Sequence, residues 1–449
     1  MNLFRHLPLK LVCSLTPILI SAFALKAHEP SYINHPSELK VKASLNLRNS
    51  SVADEESAWL MPGINLGNEA LPPSKGANID DIQILGRLNL DDNYYLGSKL
   101  GFHQHGNAGE LSLENFWLGK YLRFDSGILR INAGKMSSNV TDLANYHPSQ
   151  DLYSSTPLLA QTFFGGHHRD VGLNVSWFAS PIIFGESPEQ SIGFAKIEIG
   201  LEAWNGSKWP YDSGNGNHEG NWSLFTKYHG ELYSLKTDFG VWYSTGTAKN
   251  RGDNRYESDH HNTDTIAAPN ALFSGEIRLF GGFAELSRTI KETDNHVLSW
   301  HSHLEWIQMQ QDGDLVNTNQ SAQMTQTLDG YSLQLGLNLQ QGQHHGAELH
   351  KLFVKHEMLV VDNNFTDATS TFLAEHNLVN EGFEPSRTSL VYLWQWRPNF
   401  TVRVETFIDN TQLQPNADAT TNLASTGNDS KTRTEQIWSL GLLWQHNLL

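Results

Sequence analysis

Period-two alternation, broken by gaps that are short, then long, then short again, limits what this chain can fold into more than any other feature. About sixteen segments carry it: 40–48, 79–91, 94–104, 109–122, 127–135, 167–178, 193–204, 219–229, 233–245, 272–288, 297–308, 329–340, 349–361, 386–396, 399–409 and 437–447. The clearest runs from Tyr331 to Leu339, with Tyr331, Leu333, Leu335, Leu337 and Leu339 on one face and Ser332, Gln334, Gly336 and Asn338 on the other. Successive strand side chains point to opposite faces, so each segment has one apolar and one polar side.

The gaps sort by length. Asp91-Asp92-Asn93, Arg123 to Ser126, Gly230 to Leu232, Glu292 to Asn295 and Arg397-Pro398 have the lengths and compositions of tight turns. Residues 49–78, 136–166, 246–271, 309–328, 362–385 and 410–436 are long and polar. This rhythm predicts an all-β fold, a transmembrane antiparallel up-and-down β-barrel with turns on the periplasmic side and loops outside. A soluble sandwich explains each strand singly, but not the alternation of gap lengths.

Composition agrees. Only 39% of the residues are apolar, yet there are 36 Gly, 13 Trp, 13 Tyr and 21 Phe. A barrel needs only every second strand residue to be greasy, and it keeps a wet lumen. Aromatic residues near segment ends, among them Trp117, Tyr121, Trp177, Phe178, Trp204, Trp209, Trp222, Tyr228, Tyr392, Trp394, Trp396, Trp438 and Trp444, are expected to form girdles at the lipid interfaces.

The start of the chain reads as a secretory signal over residues 1–27, with Arg5 and Lys10 before an apolar run from Leu11 to Phe23, so 28–449 is the expected barrel. Cys13, the single cysteine, lies in that signal, so the exported chain offers no disulfide and no thiolate. Loss of Arg5, Lys10 and Lys26 takes the formal charge from −17 to −20. Acidic loops such as Asp54-Glu55-Glu56 and Asp312 to Asp314 imply a weak preference for cations at the mouth. Inward rows are expected to carry Lys42, Arg87, Lys99, Arg130, Lys196, Lys227, Lys236, Arg278, Lys351 and Arg403. The last segment puts Trp438, Leu440, Leu442 and Trp444 on one face, as in strands read by the barrel-assembly machinery, although His446 interrupts the row.

With Gly134-Lys135 closing the fifth segment, a long gap following, and Arg169-Asp170-Val171-Gly172-Leu173 opening the sixth, the chain resembles the Gram-negative outer-membrane porins. The nearest resemblance is to the phosphate-selective porin O and P type of sixteen-stranded barrel, though the arginine-rich ladder of its phosphate-selective members is not evident. The resemblance implies that the loop after the fifth strand, Met136 to Gly166, folds into the lumen and narrows it. Its constriction would hold Asp142, His147, Asp151 and Tyr153, flanked by Arg130, Lys135, Arg169 and Asp170. Implied partners are outer-membrane lipid and lipopolysaccharide, small solutes or ions, the barrel-assembly machinery and two further copies in a homotrimer; no nucleic-acid surface is evident.

Histidine is the second anomaly, with 21 in the chain. His301 and His303 share a strand face with Glu305, an arrangement suited to zinc, and His103 with His105 is a second candidate pair. No other cofactor is indicated. Enzymatic signatures are missing: there is no Gly-x-Ser-x-Gly elbow, no His-Glu-x-x-His helix and no phosphate-cradling glycine loop. The expected function is therefore diffusion of small hydrophilic solutes or ions, with divalent metal as one cargo. An adhesive or structural barrel and an outer-membrane hydrolase are the alternatives.

Overall fold

The computed structural model describes residues 37–49, 61–67, 75–105, 108–179, 197–211, 220–232, 234–252, 271–317, 320–341, 348–376, 378–380, 382–413 and 432–448. The proposed signal, Lys196, the Asp54 to Glu56 run, and His260 with His261 lie outside them.

Sixteen antiparallel strands close into one barrel, each paired with its neighbours in sequence, and the first pairs with the last from Lys40↔Asn447 to Asn49↔Trp438. They are β1 (Glu38–Asn49), β2 (Gly76–Asn89), β3 (Tyr94–His105), β4 (Ala108–Phe124), β5 (Gly127–Ser137), β6 (Arg169–Ala179), β7 (Ile197–Trp204), β8 (Asn221–Leu232), β9 (Leu235–Arg251), β10 (Leu272–Thr293), β11 (His296–Val316), β12 (Ser321–Gln341), β13 (Glu348–Thr366), β14 (Ser386–Arg397), β15 (Phe400–Leu413) and β16 (Thr432–Asn447). Closure leaves no strand edge unpaired, which is what lets a sheet cross a bilayer. Among the described residues two short α-helices, α1 (Leu158–Phe164) and α2 (Ser370–Glu375), lie in connections. No described helix is long and apolar enough to span a membrane.

The outer face is greasy and the inner face polar along most strands. Leu45, Leu47, Ile199, Leu201, Leu333, Leu335, Leu390, Val404, Trp438 and Leu440 are exposed outside, while Ser44, Asn46, Glu198, Glu202, Gln334, Arg403 and Glu405 are buried within. That is the polarity of a barrel solvated by lipid.

Several expectations need correction. Most of the long gap at 309–328 is sheet: β11 runs on to Val316 and β12 begins at Ser321, with unbroken pairing from His296↔Gln341 to Val316↔Ser321. Its polar residues looked like loop because β10 to β13 reverse their phase part-way up. Below the reversal the outer row is Leu304, Leu333, Leu335, Leu352 and Val354. Above it the inner row becomes apolar, with Ile277, Leu279, Ile307, Met309, Leu315, Met324, Leu328 and Leu359 fully buried, and Glu276, Asp312, Asp314, Thr325 and Asp362 face outward into water. Arg278 belongs to that outer row and pairs with Glu276, so it is not a lumen residue.

Five of the girdle aromatics also face inward: Trp117, Tyr121, Phe178, Trp204 and Trp209 are buried. In β4 the cause is a bulge. The register with β3 shifts at Lys99/Leu100, leaving Glu114 as an extra residue, so the outward row passes from Leu111 and Leu113 to Phe116 and Leu118. Trp117 then lies across Gly97 on β3, where an added Cβ would meet the indole at 2.1 Å.

Candidate functional site

The connection between β5 and β6, residues 138–168, bonds to inner-wall groups on many sides. Its buried carbonyls need donors, and arginines supply them. Arg403 on β15 donates through Nη1 to the carbonyls of Pro148 (2.9 Å), Asp151 (3.3 Å) and Tyr153 (3.0 Å), and through Nη2 to Ser44 Oγ (2.9 Å). Arg48 on β1 grips both oxygens of Asp80, at 2.5 and 2.6 Å, and reaches the Ser154 carbonyl at 3.4 Å. Arg387 on β14 bonds Asp409 and the Thr156 carbonyl, each at 2.8 Å. Planar guanidinium forks suit several acceptors at once, which a lysine cannot match.

Carboxylates take the loop's donors. Glu405 accepts from Ser154 N (2.8 Å) and Oγ (2.6 Å), Glu202 from Ser138 Oγ (2.6 Å) and Asn139 N (2.7 Å), and Glu305 from Thr141 Oγ1. Gln150 adds bonds to Lys42 and to Gln83.

A buried charged cluster sits at the base. Glu114 Oε2 lies 3.2 Å from Lys99 Nζ, 3.0 Å from Arg169 Nη1 and 3.5 Å from His147 Nε2. Asp81 Oδ2 lies 3.7 Å from His147 Nδ1 and accepts from Ser149 Oγ at 2.8 Å. The His147 and His167 rings are 4.4 Å apart. Burial holds the His147 pKa well below the ordinary histidine value; Lys99 adds to this and Glu114 opposes it.

Two bulges build these acids into the wall. The β1–β2 register shifts at Ser44/Leu45, where Asp80 is the extra residue, so Asp80 and Asp81 both reach inner-wall partners; Glu114 and Asn115 are both buried in the same way.

Two cavities lie in the half of the barrel nearest the short turns. One, of about 480 Å³, is bounded by Lys42, Asp151, Lys236, Glu285, His301 and Lys351; the other, of about 80 Å³, by Trp117, Arg130, Asn132, Glu198 and Lys227. Asp142, exposed at the start of a 3₁₀ turn capped by Thr141, borders both.

The other residues named from sequence distribute unevenly. Asp151 borders the larger cavity and accepts from His147 N at 2.7 Å. Tyr153 is packed under Lys355, whose Nζ is 4.3 Å from its ring, beside Phe353, Val391 and Leu393. Arg130 pairs with Glu198 at 3.1 Å. Asp170 holds the next connection instead, accepting from Ser207 N and Oγ at 2.9 and 2.8 Å. Lys135 lies in the outward phase of β5, where Nζ meets the Leu113 carbonyl at 2.8 Å.

His301, His303 and Glu305 do share the inner face of β11 and border the larger cavity. His301 Nε2 lies 3.0 Å from Glu285 and Thr141 bonds Glu305, and among the described residues no group of three or more His, Cys, Asp or Glu is gathered to hold a metal. His103 and His105 occupy β3 positions paired with Glu110 and Ala108. Sequence reasoning missed Asp80, Glu114 and the engagement of Arg48, Arg387 and Arg403 by the loop. The adjacent polar pairs Asp80-Asp81 and Glu114-Asn115, which break alternation, were the available signal for the first two.

No family model matches the chain, and no curated protein matches it. Among solved structures it is similar to the loop L8 deletion form of OmpT, an outer membrane protein of Vibrio cholerae, at 10% identity and TM-score 0.48 over 92% of this chain and 99% of that one. Pseudomonas putida OprB, in its high-pH structure, gives 12% and 0.48 over 92% and 94%. The anion-selective porin from Comamonas acidovorans gives 10% and 0.46 over 92% and 99%. At such identities nothing about solute or partner passes to this chain. Its own closed ring of sixteen strands, greasy outside and polar inside, defines a β-barrel of the outer-membrane type.

Proposed function

We propose that this protein is an outer-membrane porin that lets small hydrophilic solutes and ions diffuse, with residues 138–168 as its constriction and Asp142 at the throat. One observation carries the reading: a cavity of about 480 Å³ runs along the polar inner wall and reaches Asp142, which also borders the smaller cavity. Charge in the larger cavity is mixed, with Lys42, Lys236 and Lys351 facing Asp142, Asp151 and Glu285. A weak cation preference then comes from the acidic whole, at a formal −17, and from Asp142 where the path is tight. An open arginine ladder for phosphate is not part of the reading, because Arg48, Arg387 and Arg403 are engaged by loop carbonyls and carboxylates.

Planar-bilayer recording tests this. Stepwise conductance, with a reversal potential shifted slightly toward cations in a salt gradient, is the expected result. The apolar packing inside β10 to β13 favours one second reading, a structural or adhesive barrel. A folded protein that stays silent in the bilayer would select it.

A further inference from the structure

Above their phase reversal, β10 to β13 have the polarity of a soluble sheet, with Thr325 and Asp312 facing outward and Met324 and Ile307 buried inside. On β12 the greasy outer row runs only from Tyr331 to Leu339, about the 9–11 residues that cross a bilayer. Residues 321–330 then rise roughly 25 Å beyond the lipid, given ~3.3 Å per residue and a tilt near 40°. Lumen walls are normally polar, yet here the inside of this extension is filled. All of α1 is buried, and Met61, Ile64 and Leu66, from the connection after β1, pack into the same apolar cluster.

Residues 61–67 are tied at their backbone. The Gly63 carbonyl accepts from Gln326 Nε2 (2.9 Å) and Asn363 Nδ2 (3.0 Å), and the Pro62 carbonyl from Asn380 Nδ2 (3.3 Å). Gly63 has φ +78°, and a Cβ there would lie 2.7 Å from Asn380 Cβ, so the seat admits glycine alone. These are neutral amide–carbonyl bonds. The Arg403 bonds that hold residues 148–153 are charge-assisted and stronger, which makes the Gly63 knot the weaker tie of the two.

We propose that the upper halves of β10 to β13, with residues 61–67 and α1, form an extramembrane cap that closes the long-loop mouth over these strands, and that the Gly63 knot holds it shut as a gate. An apolar interior excludes water and so blocks ions. This inference rests on the porin reading.

Cys13, in the expected signal, is the single cysteine of the sequence, so single replacements report position cleanly. Thr325→Cys should react with a membrane-impermeant maleimide on intact cells, and Leu335→Cys should not. Equal labelling of both would overturn the cap. Gly63→Val breaks the knot by sterics, and Gln326→Leu, tested beside it, does so by removing a donor. Either variant, with Thr325→Cys labelling kept as a check of folding, should raise conductance roughly twofold or more in planar bilayers. A conducting wild type with both variants unchanged overturns the gate and leaves the porin standing. Silence of wild type and variants alike overturns both.

Discussion

Arg403 on β15 holds the carbonyl of Tyr153, in the connection that leaves β5, with Nη1 3.0 Å from the oxygen. The same nitrogen serves Pro148 and Asp151, so one buried guanidinium fixes a run of loop backbone. Replacing it with alanine leaves the Pro148 and Asp151 carbonyls without this donor and takes one of two donors from the Tyr153 carbonyl, which keeps the Tyr146 hydroxyl, while Asp80 keeps Arg48 as its partner. The expected cost is about 1–3 kcal/mol, read as a lower unfolding midpoint in detergent, with larger and noisier conductance steps. Arg403→Lys should recover only part of it, since an ammonium cannot span these acceptors.

His147 makes the seating of the loop sensitive to acid. Burial holds it neutral, and Lys99, His167 and Arg169 add to this while Glu114 opposes it; Asp81 faces the same ring and the His167 ring lies tilted beside it. A depressed pKa contributes stability above the ordinary histidine value of about 6.5 and loses it as pH falls from there. Each pH unit below costs the seated loop up to ~1.4 kcal/mol. Limited proteolysis of the loop should therefore speed up below about pH 6, and His147→Gln should flatten that dependence. A wild-type profile that stays level from pH 7 to 5 would contradict it.

Asp142 borders both cavities, so its charge should act on whatever passes between them. Asp142→Lys is expected to move the reversal potential toward anions and Asp142→Asn to move it part of the way, with little change in thermal stability because the side chain is exposed. Identical reversal potentials in all three proteins would place the selective step elsewhere.

The outer face offers a test of where lipid begins. Leu335→Arg, in the greasy row, should cost about 2–4 kcal/mol in unfolding from lipid vesicles, whereas Thr325→Arg, above the reversal, should cost near 0–1. Equal costs would mean that both positions face the same medium.

Most of the barrel was legible because period two is a direct image of the two faces of a strand. The rows at Tyr331 to Leu337 and at Arg403, Glu405 and Asp409 stand as read. What failed was any place where phase changes. The bulge at Glu114 turned Trp117 and Tyr121 inward, and the water-facing top of β11 and β12 resembled loop because Gln308, Asp312, Thr325 and Thr327 are polar on the side that lipid occupies lower down. Residues 136–166 stood out by length. The pairing of that segment with wall groups at Glu305, Glu405 and Arg387 was not legible, because it joins strands remote in sequence. The histidines of β11 were placed on the correct face, but period two says nothing of the Glu285 on the next strand that takes His301.

The bulges at Asp80 and Glu114 carry a consequence for how such a wall can be altered. Each lodges one extra acid on the water side while the greasy row resumes beyond it. Inserting or deleting a single codon at such a site changes the count of inner carboxylates and leaves the lipid contact nearly intact. Lengthening by one residue is thus a route to new inner-wall chemistry that exchange of one side chain for another does not provide.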